Sequence, residues 1–242
     1  MTFSIVARCA RTGQLGVAVS TAVPAVGAMC PFVQTGAGAV STQSWVNPYL
    51  ALEALDAMAQ GASAQAALDA AVGRDDAREY RQIGLVDAQG RAAAWSGAAC
   101  TGWFGHLVGD GFAVQGNMLV GEATVTAMAD AFTASPDQPL AERLLRAMEA
   151  GQAAGGDRRG RQSASLRVHD RETYPLVDLR VDEHAQPVAE LRRVFGIASL
   201  QLFPFVAGMP RKGAPATPAP ESVVSMLALS PPDRPGGGGS RL

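Results

Sequence analysis

TFSIVARCARTGQLGVAVS, residues 2–20, reads as two strands closed by a turn at Thr12-Gly13. The first strand runs over residues 2–9 and the second over Leu15 to Ser20. Both alternating sets of side chains are apolar: Ile5 and Val17 fall on one parity, Val6 and Ala18 on the other. A hairpin that is apolar on both faces belongs to a sheet covered on both sides. Working outward, Gly38 to Gln43 (GAVSTQ) reads as a further strand. Asn47-Pro48 then starts a helix, with a capping residue followed by proline at the first helical position. Leu52, Leu55 and Ala59 are expected on its inner face and Gly61 at its end. Ser63 caps a second helix through Val72.

The period then returns to two. Arg81 to Asp87, Arg91 to Ser96 and Phe112 to Leu119 are expected strands, with a turn at Gln89-Gly90. Val125, Met128, Ala129 and Phe132 keep helical spacing, as do Leu140, Leu144, Leu145 and Met148. Arg161 to Val168 and Leu176 to Val181 are the last strands, and Pro187 opens a helix carrying Val188, Leu191 and Val194. Strands and helix pairs arriving in blocks disfavour βαβ alternation. Two stacked sheets with helix pairs outside would bury every apolar face. The expected fold is an α+β four-layer αββα sandwich over residues 1–207, followed by a Pro/Gly-rich, low-complexity, disordered tail over 208–242. Within that tail only Val223 to Leu229 is apolar enough to dock.

Of the 242 residues, 48% are hydrophobic and 17% charged, so the chain can build a sizeable core. A net charge of −2 offers no basic footprint for nucleic acid. No apolar run is long enough to span a membrane, and the start lacks a secretory pattern, so a cytoplasmic setting is expected. Lys212, in the tail, is the only lysine among 20 basic residues. A body without lysine excludes Schiff-base, pyridoxal-phosphate and P-loop chemistry. GAGAV at residues 36–40 is too short of glycine for a dinucleotide site. His106, His169 and His184 lack ligand spacing, and Cys9, Cys30 and Cys100 read as buried fillers. Neither cofactor nor metal is expected.

Thr2 is the sharpest chemical signal. Methionine ahead of threonine is normally removed, which would leave Thr2 with a free α-amine of pKa about 7.7–8.0 beside its own hydroxyl. Nucleophile and base then share one residue. The plainer alternative is an ordinary second residue. In GGDRRGRQSAS, residues 155–165, Asp157 can hold the Thr2 amine while Arg158, Arg159 or Arg161 clamps an anionic substrate group. A solvated loop with internal ion pairs explains the same residues. Asn117 in QGNML can donate to an oxyanion, or merely turn the chain. Thr42 and Gln43 either line a pocket or mark a strand's exposed end.

MTFSIVAR, TGQLGVAVS, GAGAVSTQ, QGNML, GGDRRGRQSA and VDEHAQPVAELRR arrive in an order that closely resembles the bacterial family called domain of unknown function 1028, over about residues 1–199. That family is placed among N-terminal nucleophile hydrolases. The resemblance implies the same sandwich, with Thr2 as nucleophile and Asp157 and Ser163 supporting it. The lysine of proteasome-type sites does not carry over. Cys9 stands where many relatives have aspartate. Some longer relatives carry a peptidoglycan-binding-like domain, for which this tail offers no counterpart. Two functions follow. One is an amidohydrolase acting through an acyl-enzyme on a small, carboxylate-bearing amide. The other is a non-catalytic sandwich that binds a small ligand or a protein. A small-molecule substrate is the expected partner, nucleic acid and membrane are not, and a homodimer is left open.

Overall fold

The computed structural model describes residues 2–215 and 217–241. Met1, Ala216 and Leu242 lie outside them, and with Met1 the expected removal of the initiator. Ten strands form two antiparallel sheets among the described residues. The larger has the order β10-β9-β2-β1-β8-β7, from β1 (Thr2–Arg8), β2 (Leu15–Thr21), β7 (Trp103–Gly109), β8 (Phe112–Leu119), β9 (Ser163–His169) and β10 (Val177–Val181). The smaller has the order β3-β4-β5-β6, from β3 (Pro31–Gln34), β4 (Gly38–Ser44), β5 (Arg81–Asp87) and β6 (Ala92–Ser96).

The helices follow the sequence cues. Asn47 accepts from the Tyr49 N–H at 3.1 Å and Pro48 opens α1 (Pro48–Ala59). Ser63 accepts from the Ala66 N–H at 3.1 Å and opens α2 (Ala64–Gly73). These two cover the outer face of the small sheet, where Leu50, Leu55, Leu68 and Val72 meet Val40, Ile83 and Leu85. The α3 (Ala123–Thr133) and α4 (Leu140–Ala153) helices cover the large sheet, packing Met128, Leu144, Leu145 and Met148 on Phe3 and Ile5. Between the sheets lie Val6, Val17, Ala39, Val86 and Ala113. The layers are therefore α, β, β, α. The α5 helix (Pro187–Ala207) lies beside α4 over β9 and β10. The apolar stretch of the tail forms α6 (Glu221–Leu227), with Val223 and Met226 buried. No helix among the described residues is long and apolar enough to cross a membrane.

Three details differ from expectation. Leu52 and Ala59 are exposed, because α1 turns Leu50, Ala51, Ala54, Leu55 and Met58 inward instead. Strands β3 and β7 carry no clean period in the sequence. Both are sheet edges, β3 with only four residues and β7 with side chains largely in solvent, so no buried face imposes alternation. The β9 strand joins its sheet at Ser163, since Arg161 and Gln162 still belong to the loop.

Candidate functional site

Antiparallel neighbours that face each other share a face of the sheet. Thr2 pairs with Asn117 on one side and Thr21 on the other, and Thr21 pairs with Ser163. Asn117, Thr2, Thr21 and Ser163 thus form one row across β8, β1, β2 and β9, directed between the sheets. The next inward row on that face is Gln115, Ser4, Val19 and Ser165, and the one after it contains Ala113, Val6 and Val17. The interlayer grades from apolar at the far end to polar at the Thr2 end.

Thr2 is 5% exposed, and its hydroxyl donates to the Thr21 hydroxyl at 3.2 Å. Beneath it runs a ladder of buried amides. Gln43 Nε2 donates to the Thr2 carbonyl at 3.3 Å and to Gln82 Oε1 at 2.8 Å, and Gln43 Oε1 accepts from Ser4 at 2.7 Å. Gln82 Oε1 also accepts from Asn117 Nδ2 at 2.8 Å, which fixes the orientation of the Asn117 amide and, among the described residues, leaves its second N–H uncommitted. Gln82 Nε2 reaches Ser96, whose hydroxyl meets His106 Nδ1 at 2.9 Å. Burial lowers the His106 pKa below its usual value. Gln115 lies flat on β5 because Gly84 has no side chain; a Cβ there would sit 2.0 Å from Gln115 Oε1.

Asp157 reaches the row through the backbone. Gly155 and Gly156, at φ 116° and 61°, let the chain turn back after α4 into the left-handed region. Asp157 then bridges to Leu119 at the end of β8. Its carboxylate accepts from the Ala22 N–H at 3.1 Å, the Arg159 N–H at 2.9 Å and Arg159 Nη2 at 3.2 Å. It pins the residue that follows Thr21. Beside Asn117, Met118 holds a φ of 51°, opposite an irregularity between Trp103 and Gly105. Such a conformation in a non-glycine residue stores about 1–3 kcal/mol and persists only where its surroundings enforce it.

The nine residues expected in the site separate. Thr2, Asn117 and Gln43 come together, with Asp157 and Arg159 at the adjoining corner. Thr42 does not join them: with Gln43 facing inward, the two-residue period turns Thr42 toward α1, where its hydroxyl donates to the Asn47 carbonyl at 3.3 Å. Ser163 is in the row, but its hydroxyl donates to the Val23 carbonyl at 2.6 Å and accepts from the Val26 N–H at 3.1 Å. Both bonds fasten the segment after β2, and neither reaches Thr2. The Arg158 side chain is exposed. Arg161 faces a separate cavity of about 360 Å³ with Gln152, Gln186 and Arg192. The loop aims Arg159 alone of the three at Asp157, because it lies two residues on and closes a tight turn. Thr21, Ser4 and Gln82 went unread in the sequence. The hairpin register could have found Thr21; nothing local marks Gln82. Burial pushes the Cys30 thiol up to about 12, so it stays protonated.

The protein SPO2555 from Silicibacter pomeroyi, described as DUF1028, has a similar structure at a TM-score of 0.77 and 30% identity, with 84% of this chain and 91% of that one covered. Anbu (ancestral beta-subunit) from Yersinia bercovieri is 12% identical at a TM-score of 0.39, covering 88% of this chain and 100% of that one, a likeness too low to carry an argument. No curated protein matches the chain. The model of the "Family of unknown function (DUF1028)" matches residues 2–191. The chain, matched over most of its length in sequence and close to another member in structure, belongs to the DUF1028 family.

Proposed function

We propose that the protein is an amidohydrolase whose nucleophile is the Thr2 hydroxyl, uncovered with its α-amine when Met1 is removed. One observation carries the reading: the Thr2 hydroxyl heads a central strand at the polar end of the interlayer, bonded to Thr21 and directly opposite an Asn117 amide held in one orientation. The α-amine takes the hydroxyl proton as Oγ1 bonds to the amide carbonyl carbon. Asn117 donates its remaining N–H to the oxyanion. Collapse breaks the C–N bond, the ammonium returns its proton to the leaving amine, and water then hydrolyses the ester on Thr2. Asp157 and Arg159 hold the corner, and Arg159 favours a substrate bearing a carboxylate. A cytoplasmic setting and a small-molecule substrate belong to the same proposal.

The burial of the row favours a second reading, in which these hydroxyls and amides only join two sheets of a ligand-binding protein. Mass spectrometry of the natively produced protein separates the two. The hydrolase reading expects a chain starting at Thr2 that gains one acyl adduct from a β-lactone probe, on the peptide carrying Thr2. Thr2→Ala should lose both the adduct and turnover of an amide library, whereas retained Met1 or labelling of Thr2→Ala sinks it.

A further inference from the structure

Three of the buried or half-buried arginines are neutralised by carboxylates. Arg81 meets Asp75 at 2.8 Å, Arg167 meets Asp178 at 2.9 Å, and Arg192 meets Glu142 at 2.6 Å and Glu149 at 2.7 Å. One cavity gathers three arginines that are not. It holds about 340 Å³ and opens at the end of the sandwich remote from Thr2, where β1 finishes, the turn into β2 begins and the first turn of α4 passes. Arg8 lies about 20 Å from Thr2 along the strand at ~3.3 Å per residue. Arg8, Arg11 and Arg143 all line this cavity. Among the described residues, no carboxylate comes within ion-pair reach of any of the three, although the exposed Asp110 and Asp137 line the same space.

Two of the guanidiniums are held without being neutralised. Arg11 Nη2 donates to the Asp137 carbonyl at 2.8 Å. Arg143 donates to the Phe132 carbonyl at 3.1 Å and lies 3.8 Å over the Phe132 ring. Arg8 Nε is buried and has no hydrogen-bond partner among the described residues. Three cations sharing a concave space, two of them oriented and the third with an orphaned buried donor, form half of a charge pair. We propose that this cavity binds a small phosphate monoester, its phosphate gripped by Arg8, Arg11 and Arg143. Phosphate fits better than a single carboxylate because its three terminal oxygens give forks arriving from three elements separate acceptors. The cavity volume exceeds that of the phosphate alone and leaves room for an organic part. Neighbouring groups feel the same field. Burial, with Arg11 adding to it, lowers the Arg143 pKa. Burial would push the Cys9 thiol up, but Thr12 and Arg11 together pull it below its usual value. The site is independent of the Thr2 reading and stands if that reading fails.

Isothermal titration calorimetry of the full chain at constant ionic strength tests it, with glycerol 3-phosphate, inorganic phosphate, sulfate and chloride as the probes. Saturable binding of glycerol 3-phosphate is expected, tighter than inorganic phosphate, displaced by sulfate and unaffected by chloride. Arg8→Gln and Arg11→Gln should each weaken it tenfold or more, while Arg74→Gln on the far side of the small sheet leaves it unchanged. Should Arg8→Gln lose its circular dichroism signature, Arg11→Gln decides, since Arg11 is exposed and bonded only to a carbonyl. No heat beyond chloride, or wild-type affinity in the folded arginine variants, overturns the site. Equal or weaker binding of glycerol 3-phosphate relative to inorganic phosphate overturns the assignment of an ester.

Discussion

Replacing Gln82 with leucine tests whether the amide ladder joins the two sheets. Gln82 is fully buried and of similar size to leucine, so the change removes hydrogen bonds with little change of volume. Its Nε2 donates to Ser96 at 2.8 Å, the Gly116 carbonyl at 2.8 Å and the Gly105 carbonyl at 3.2 Å, and its Oε1 accepts from Gln43 and Asn117, each at 2.8 Å. Not all of these partners become orphans. Ser96 keeps His106, and Gln43 keeps its longer bonds to the Thr2 and Gln115 carbonyls at 3.3 and 3.4 Å. Asn117 Nδ2 loses the one partner it has among the described residues, and the Gly116 carbonyl loses its side-chain donor, as does the Gly105 carbonyl at its longer and weaker contact. A buried group left unpaired costs about 1–3 kcal/mol. Two such groups, less the apolar gain of leucine, give a loss of about 3 kcal/mol, or about 6–12 °C in Tm for a chain of this length. Urea denaturation followed by tryptophan fluorescence measures it, with an unchanged slope required for the comparison. The exposed Gln65, bonded to Asp69 at 2.8 Å on α2, is the control, and its leucine variant should stay within about 0.5 kcal/mol. A Gln82→Leu loss below about 1 kcal/mol would refute the reasoning, since the sheets would then be held by apolar packing alone.

Gly84→Ala should destabilise by about 1–3 kcal/mol, because its Cβ displaces the Gln115 amide from the surface of β5; wild-type thermal stability would show that the interlayer yields freely there. Asp87 gives a pH dependence. Burial would raise its pKa, but Arg91 and the N–H groups of Ala64, Arg91 and Gln89 outweigh that and hold it below the ordinary carboxylate value. Its folded pKa thus lies under the unfolded value of about 3.9, so its stabilisation is complete above that value and is lost as pH falls through the folded one. Asp87→Asn should therefore cost about 2 kcal/mol at pH 7 and distinctly less at pH 3, and a difference constant over that range would contradict it.

Local signals made much of this protein legible. Thr12-Gly13 closes a hairpin, Asn47-Pro48 and Ser63 cap helices, and the switch between periods of two and 3.6 separates strand blocks from helix pairs. Each cue acts within a few residues, where backbone sterics and capping operate. Strands apolar on both faces then left few alternatives to two sheets covered by helices, and that order already placed Thr2 at the head of a strand. Strands β3 and β7 escaped, β3 because it has only four residues and β7 because it has no buried face to write a period into its sequence.

Only the tertiary structure decided which side chains meet. Thr42 and Gln43 are neighbours of like polarity, and the sequence cannot say which one faces the interlayer until the second sheet is stacked on the first. Arg158, Arg159 and Arg161 are equivalent as text, yet a turn two residues long aims Arg159 alone at Asp157. Gln82 is the clearest case. An amide in a buried strand becomes intelligible once Gln43 from the neighbouring strand and Asn117 from the other sheet converge on its oxygen. Register and stacking are set by the sum of long-range apolar contacts, and the bonding of a buried polar group depends on where that sum leaves its partners.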